Sequence, residues 1–338
     1  MLKVIEQMLD ESKSQDILKE DYDTPSVDLS FSPPGNLNIP WNGVTLNSEI
    51  TDYALRQMFI KLGKVVFPHD NSGLPPKYFL RIKHSDPELF SQLMNWHMAD
   101  SKDEWMIRTY DSKVRAVLSS GYAKVHNTDM LDAMRLLVID QNPQNGEVYD
   151  SSVTPDELHL RTLWADTGVP DGAGGYYKVG AYLGNGEIGN SYVRVHAMVQ
   201  RTTCKNSLMT LENALTLRHF GDVHSIMMDI KKSFINIFPT ATKLVNQMVR
   251  AEGRLLPNFI DVLDNLAKKH NWSPTQKSEV GFGMEGKNTV AGLVNGITYA
   301  AHTLELDEKE RVVWENFGGK LLVTPDSVFA RMQPVEVE

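Results

Sequence analysis

Three glycines in the segment LGNGEIGNSYV, Gly184, Gly186 and Gly189, match the G-x-G-x-x-G spacing of dinucleotide-binding loops. In those loops a strand precedes the glycines and a helix follows them, because the free N–H groups at the helix N-terminus hold the pyrophosphate. Here the following segment, residues 191–202, alternates apolar and polar residues and is rich in valine, which is typical of a strand. Gly-Asn-Gly between two strand patterns indicates a β-hairpin. The sequence therefore predicts a turn here and no nucleotide site.

Other residues with catalytic potential are few. Cys204 and His196 could act as nucleophile and base, but a lone cysteine between a strand and a helix is more often a small packed residue. His219 and His224 are five residues apart and do not share a helix face, so they do not suggest a metal pair. The chain also lacks G-x-x-x-x-G-K-[ST], H-E-x-x-H and G-x-S-x-G motifs. We therefore expect no metal and no cofactor, and we favour a non-enzymatic role without excluding an enzyme.

Several predicted strands place cations and aromatic rings on one face, since alternate residues of a strand point the same way. Such a face suits single-stranded nucleic acid, because cations attract phosphates and rings stack on bases. The alternative is that these residues form an ordinary sheet face that is solvated or covered by helices. The residues that we predict to contact phosphate or base are Arg108, Tyr110, Arg115, Lys178, Tyr192, Arg194, His196, Arg201 and Lys205.

The elements that must position these residues follow from periodicity. Strand patterns cover 105–110, 114–119, 158–164, 176–183 and 191–202. Helical patterns cover 49–62, 86–99, 129–139, 207–220, 224–238, 242–256, 259–270 and 289–303. The order of helices, then strands, then helices predicts an α+β fold in which a central antiparallel sheet is flanked by helices.

The domain organisation that we expect has three parts. Residues 1–45 contain a Pro-rich, non-periodic stretch and predict an irregular N-terminal arm that begins with a short helix. Residues 46–323 predict a single α+β domain with a strand-rich centre and a helical C-terminal half. Residues 324–338 predict an acidic C-terminal tail.

Composition limits the class of protein. Of the 338 residues, 41% are hydrophobic and 23% charged, which is ordinary for a globular protein. No apolar run reaches the ~18–20 residues of a membrane helix, and residues 1–16 lack the apolar core of a secretory signal. The single cysteine fits a reducing environment, so we expect a cytoplasmic protein with no membrane partner.

Charge is unevenly distributed along the chain. The formal net charge is −9, but it is concentrated in residues 1–30 and 303–338. Residues 105–126, 176–205 and 227–254 each carry an excess of Lys and Arg. Acidic ends around basic central segments are compatible with an anion-binding surface, and equally with solvated faces of unrelated elements.

Three blocks of the sequence resemble a family of phage- and plasmid-borne proteins, the phage/plasmid-like proteins of domain of unknown function 932. The blocks are ALRQMFIKLG through IRTYDSKVRAVLSSGYAKVHNTDML, then NGEIGNSYVRVHAMVQRTTCKNSLM, then NTVAGLVNGITYAAHTLELDEKERVVWENFGGKLL. Together they span about residues 50–323. The chain departs from the family pattern at Asn185-Gly186-Glu187 and at Lys205-Asn206-Ser207. The resemblance implies a mobile-element protein in the host-cell cytoplasm and no established activity.

The leading hypothesis is therefore a protein that binds single-stranded DNA or RNA, forms a homo-oligomer and serves strand annealing or recombination mediation. The last step is by analogy with other proteins of mobile elements. The alternative is a factor that acts through protein surfaces, such as an inhibitor of a host defence system.

Overall fold

The computed structural model describes residues 1–66, 75–141, 146–172, 174–203, 206–210, 214–256 and 258–332. Eleven helices and three antiparallel sheets are present in these residues. The predicted α+β fold with sheets flanked by helices is confirmed. The strands form three sheets, whereas one central sheet was predicted from the sequence. None of the helices in the described ranges is both long and apolar enough to span a bilayer.

The N-terminal part of the chain contains two small sheets and four helices. The strands of this part are β1 (Lys19–Pro25), β2 (Ser30–Ser32), β3 (Asn36–Trp41), β4 (Val44–Ser48), β5 (Glu104–Tyr110) and β6 (Lys113–Ser119). Its helices are α1 (Leu2–Asp16), α2 (Asp52–Val66), α3 (Pro76–Ser85) and α4 (Pro87–Ala99), and a short 3-10 helix covers Ser26–Asp28. One sheet has the order β1-β5-β6 and the other β2-β3-β4.

A larger antiparallel sheet follows α5 (Asn127–Gln141). Its strands are β7 (Glu147–Val153), β8 (Glu157–Pro170), β9 (Tyr176–Gly186), β10 (Val193–Arg201), β11 (Ser207–Met209) and β12 (Leu215–Leu217). The order is β11-β10-β9-β8-β7, and β12 pairs with the other end of β10.

Helices complete the chain and cover both faces of the larger sheet. They are α6 (Val223–Glu252), α7 (Phe259–Lys269), α8 (Pro274–Gly283), α9 (Val290–Thr303), α10 (Glu308–Val323) and α11 (Asp326–Phe329). One face, with Val179 and Val195, packs in the same core as Ile230 and Phe234 of α6. The opposite face, with Tyr182, packs against Val312 of α10.

Two main hydrophobic cores hold these layers together. The first joins α1, α5, the larger sheet and the C-terminal helices, and the second joins β1–β6 and α2–α4. Apolar residues at helical spacing build the second core from α2, where Leu55, Met58, Phe59 and Leu62 are buried as their periodicity predicted.

The prediction of an irregular N-terminal arm is wrong for most of residues 1–45. The short initial helix is present as α1, where Ile5 is fully buried in the first core. Strands β1 to β3 then bury Tyr22, Phe31 and Leu37 in the second core. The polar and proline-rich composition hid these strands because their apolar residues are few and widely spaced.

Three other predictions about elements need correction. The helix predicted over 207–220 is wrong, since the described residues of this segment form strands β11 and β12, which pair with opposite ends of the same edge of β10. The two helices predicted over 224–256 are one 30-residue helix, α6, with Pro239 in its interior. The tail predicted from residue 324 begins with the ordered helix α11, whose Phe329 is 2% exposed; residues 333–338 lie outside the described residues.

The glycine motif forms the predicted β-hairpin, because β9 and β10 pair directly and residues 187–192 connect them. Gly184 and Gly186 lie in β9, where added Cβ atoms would meet the Tyr182 hydroxyl at 2.7 Å and Asn190 Oδ1 at 2.5 Å. Gly189 has a φ of +75°, which favours glycine. These glycines therefore allow close packing and a turn, and they open no helix.

Glu187, the first residue of this turn, is buried where the β1-β5-β6 sheet meets the larger sheet and α5. Its carboxylate accepts hydrogen bonds from Lys19 Nζ at 2.8 Å, Arg115 Nη2 at 3.1 Å and the backbone N–H of Asn127 at 2.8 Å. Its carbonyl accepts a hydrogen bond of 2.6 Å from Arg108 Nη1. Burial raises the pKa of Glu187, but the charges of Lys19, Arg108 and Arg115 outweigh it and hold the pKa below its usual value.

We expect Glu187→Gln to lower the free energy of unfolding by about 3–5 kcal/mol, because it leaves buried cations without their shared counter-ion. Urea unfolding followed by circular dichroism measures this change. The matched control is Glu49→Gln, which breaks an ion pair with Lys113 whose side chains are 63% and 57% exposed. The control should cost about 1 kcal/mol or less. Equal losses in the two variants would contradict the role of Glu187.

Candidate ligand cleft

An open cleft of about 530 Å³ lies where elements of the two cores meet. Four separate segments line it: one face of α2, the end of β6 with the turn after it, the β9–β10 turn and the residues after β12. Its volume is in the range of small-molecule sites, roughly 300–1,000 Å³, and junctions between packed units are where such sites commonly occur.

The lining combines aromatic rings, cations and uncharged polar groups. The aromatic residues are Tyr122, Tyr192 and Phe220, and the cations are Lys61 and Arg218. The uncharged polar side chains are Gln57, Ser119, Asn190, Ser191 and His219. No Asp or Glu is among the described residues that line the cleft. This chemistry favours an anionic ligand that contains a flat ring.

Gln57 fixes the position of α2 relative to the cleft. Its side-chain oxygen accepts a hydrogen bond of 2.8 Å from the backbone N–H of Val117 in β6. Its side-chain nitrogen donates a hydrogen bond of 2.9 Å to the carbonyl of Ile188 in the β9–β10 turn. One amide therefore joins three of the elements that form the walls.

Tyr122 and His219 form a stacked pair in the wall, with ring centroids 5.0 Å apart and planes only 8° from parallel. The Tyr122 hydroxyl donates a hydrogen bond of 2.9 Å to the carbonyl of Gly186. Burial raises the pKa of Tyr122 well above its usual value, so the phenol stays protonated.

The protonation state of His219 follows from its partner. Asn185 donates through Nδ2 to the carbonyl of Val125 and to Asn127 Oδ1, so its Oδ1 must accept the 2.8 Å hydrogen bond with His219 Nε2. Nε2 therefore carries the proton. Burial, followed by the charge of Arg108, lowers the pKa of His219 to about 4, and the ring is neutral near pH 7.

Two aromatic rings remain accessible at the cleft. Phe220 is 74% exposed and its ring lies over Gly121, where an added Cβ would be 3.3 Å from Phe220 Cε2. Tyr192 is 39% exposed, and the guanidinium carbon of Arg194 lies 5.7 Å from its ring centroid. Both rings can offer a surface on which a planar group stacks.

Two of the predicted nucleic-acid contacts, Arg108 and Arg115, lie in the interior. Arg108 is fully buried and donates to Asp21 Oδ1 at 2.7 Å as well as to Glu187. Arg115 is 4% exposed and contacts Glu187, Asp156 and the carbonyl of Pro155. Both form the ionic junction around Glu187, and neither belongs to an exposed surface.

The polar face of the larger sheet is covered, which is the alternative that sequence analysis left open. His196 is 2% exposed and lies 3.2 Å from Thr216 Oγ1. Arg201 lies on the opposite face of the sheet, with Val195 and Val199, where it is 4% exposed and donates to the carbonyl of Asp171. Lys178 is partly exposed and forms an ion pair of 2.9 Å with Glu147. The interpretation of this face as an open nucleic-acid surface is therefore wrong, because α10 packs against it.

The remaining predicted contacts are dispersed. Tyr192 lines the cleft and Arg194 lies beside it. Tyr110 is half-buried at the end of β5, where it pairs with Lys19 and Lys113 in the sheet register. Lys205 lies outside the described residues, as does Cys204. Of the eight predicted residues that the structure describes, Tyr192 alone lines the cleft.

A buried ionic network occupies the interface between the larger sheet and α10. Arg161 donates to Glu315 at 2.7 Å and to Glu308 at 2.6 Å. Ser207 and His302 also contact Glu315, which gives a Ser, His and Glu in mutual contact. Both partners use the same nitrogen of His302, Nε2, so no relay through the ring exists, and Ser207 is fully buried. This group stabilises the fold and does not have the geometry of a catalytic triad.

One group in the described ranges has the spacing of metal ligands: Asp16, His126 and Glu187, whose ligand atoms lie within 4.8 Å of one another. The ammonium of Lys19 lies between them, at 2.6 Å from Asp16 Oδ1 and 2.8 Å from Glu187 Oε1. A cation is thus already present where a metal would bind, so this arrangement favours an ion pair.

Comparison with known proteins finds no matching family model, no matching curated protein and no matching solved structure.

Sequence reasoning missed most of the cleft. Arg218 and Phe220 fell in the segment assigned to a helix, whereas they follow β12 in a short connection to α6. Lys61 is half-buried on α2 next to the buried Leu62, and Tyr122 follows a predicted strand without any periodic pattern. No sequence pattern marks the site, because the exposure of Phe220 is visible only in the folded structure.

The buried histidines predict a pH dependence of stability. Burial is the main cause that lowers the pKa of His196 and of His219 to about 4. In the unfolded chain the pKa of a histidine is about 6.5. Between these values the unfolded chain binds more protons, so stability falls as the pH falls from about 6.5 to 4. We expect each histidine to contribute roughly 1–2 kcal/mol to the difference in unfolding free energy between pH 7 and pH 5.

Urea unfolding of His219→Gln at the two pH values tests this expectation, because the variant should show a smaller difference between them than the wild type. His84→Gln, at a solvent-exposed position, is the control and should keep the wild-type difference. If His219→Gln also keeps it, the neutral buried state of His219 is contradicted.

Proposed function

We propose that the protein binds single-stranded nucleic acid in the cleft. A base stacks on the accessible rings of Phe220 and Tyr192, and the adjoining phosphates interact with Arg218 and Lys61. The observation that carries the proposal is the combination of accessible rings and two cations in a lining whose described residues include no carboxylate.

The aromatic residues support recognition of a base. Stacking of a base on an aromatic side chain contributes roughly 1–3 kcal/mol and does not require a particular sequence. In a duplex the faces of each base are already stacked on neighbouring pairs, so unpaired strands are the form that can use these rings.

The cations support recognition of the phosphates. Arg218 is exposed and forms no ion pair within the described residues, so it does not have to leave a carboxylate in order to bind an anion. The protein as a whole is acidic, at −9, and the local absence of acidic side chains is therefore a feature of the cleft itself.

The biological setting belongs to the same proposal. The resemblance to phage- and plasmid-borne proteins supports a mobile element in the host-cell cytoplasm, where binding of single strands would serve annealing or recombination mediation. We propose no chemical reaction, since the cleft residues are explained by binding alone.

Phe220→Ala should weaken the binding of a labelled oligothymidylate by between about fivefold and a hundredfold, because one stacking platform is removed. Fluorescence polarisation at low salt measures the affinity, with a duplex of equal length for comparison. The matched control is Phe282→Ala on α8, where the ring is 73% exposed against 74% for Phe220. Equal affinity of the Phe220 variant and the wild type would refute stacking at this position.

Arg218→Ala should weaken oligonucleotide binding and lower the slope of log affinity against log salt by about 0.7, the value for one phosphate contact with a single strand. The same polarisation assay over a salt series gives both quantities. Lys268→Ala, at an exposed cation on α7, removes the same charge from the protein and should leave the slope unchanged. A slope that falls equally in both variants would indicate a general charge effect and not a site.

A further inference from the structure

Helix α6 has an outer face along which large apolar side chains are exposed. At 30 residues it is about 45 Å long, and one side is buried against the larger sheet and α9. On the other side Met228, Ile235 and Val249 are 41%, 74% and 46% exposed. Large apolar side chains at such exposure along a single helix need an explanation, since burying them is favourable.

These residues form one stripe with a period of seven. Ile235 follows Met228 by seven residues, and Val249 follows Ile235 by fourteen; the exposed Thr242 occupies the position between them. A repeat of seven keeps side chains on one line along a helix, and it is the spacing by which two helices pack side by side.

We propose that the stripe is the contact between two copies of this chain, whose α6 helices pack antiparallel about a twofold axis near Phe238 and Pro239. A twofold interface places the same surface of each copy against itself. Antiparallel pairing about this point sets Met228 opposite Val249 and Ile235 opposite Thr242, each pair occurring twice. The even spacing of the four positions lets each one meet another position of the stripe when the helix is reversed.

The charges beside the stripe favour the antiparallel direction. Asp229 and Arg250 lie on the same side of it, 21 residues apart, which is three repeats of seven. Reversal brings Asp229 of one copy close to Arg250 of the other at both ends of the interface. A parallel pair would instead set Asp229 level with Asp229 and Arg250 level with Arg250, about 30 Å apart along the helix, so the opposite charges would not meet.

Both charged groups are available for this contact. Asp229 lies 3.3 Å from Lys232 of the same helix, in an ion pair whose side chains are 47% and 67% exposed. Arg250 is exposed and has no ion-pair partner in the described parts of the chain. The association depends on α6 alone and is independent of the ligand cleft.

Sedimentation velocity of the full chain over roughly 1–100 µM is the first test. We expect a reversible change from 38.1 kDa to twice that mass. Ile235→Asp should raise the dissociation constant at least about tenfold, because it places a charge in the centre of the apolar contact. Ile260→Asp is the matched control, with an isoleucine that is 60% exposed on α7, and should leave the constant unchanged. A wild-type chain that stays at 38.1 kDa, or a dimer insensitive to Ile235→Asp, overturns the proposal.

Disulfide crosslinking tests the direction and register. In a Cys204→Ser background, the double variant Ile235→Cys/Thr242→Cys should form a covalent dimer on mild oxidation, because antiparallel pairing sets these two positions opposite each other. Ile235→Cys alone should crosslink far more slowly. Equal crosslinking by the single variant would show parallel pairing, and absence of crosslinking in both would place the contact elsewhere; either result overturns the proposal.

Discussion

The burial of one carboxylate among several cations is the constraint on which the arrangement of this protein depends. Glu187 is the first residue of a turn, yet it accepts hydrogen bonds from β1, β6 and the start of α5. A buried charge is costly unless it is fully paired, so these elements must meet at one point. The N-terminal strand, the small sheet and the larger sheet are thereby held in a fixed relation, and the walls of the cleft are fixed with them.

A second buried network shows how a polar pattern can mislead. Arg161, Tyr182 and His196 alternate with apolar residues on their strands, as they would on a solvated face. In the structure α10 covers this face and supplies Glu308 and Glu315 to Arg161. Burial is the largest single influence on the pKa of Arg161 and lowers it. The two carboxylates together outweigh burial and raise the pKa above its usual value. Strand periodicity predicts which residues share a face of the sheet. It does not show whether a polar face is exposed to solvent or covered by a helix that carries complementary charge.

The sequence predicted those elements whose pattern is local. Strands β5, β6, β8, β9 and β10 were predicted from their own residues, and the helix that begins at Asp52 has its apolar residues on one side. Strand β7 is mostly polar and was not predicted. Helix α10 was missed because its buried face includes Glu315 and two glycines, so it lacks an apolar stripe. Strands β11 and β12 are three residues each, too short to show a period, and their pairing with β10 decides their conformation. The cleft could not be predicted, since its residues are adjacent only after the chain has folded.

The four walls of the cleft come from parts of the chain centred near Gln57, Tyr122, Asn190 and Phe220. No local fragment carries enough of these walls to bind, so a ligand of the cleft binds the native state and not the unfolded chain. By mass action such a ligand stabilises the native state, by about 2.7 kcal/mol at a concentration one hundred times its dissociation constant. The melting temperature therefore rises when a ligand occupies the cleft. A melting-temperature screen of nucleotides and oligonucleotides would identify the preferred ligand without an activity assay.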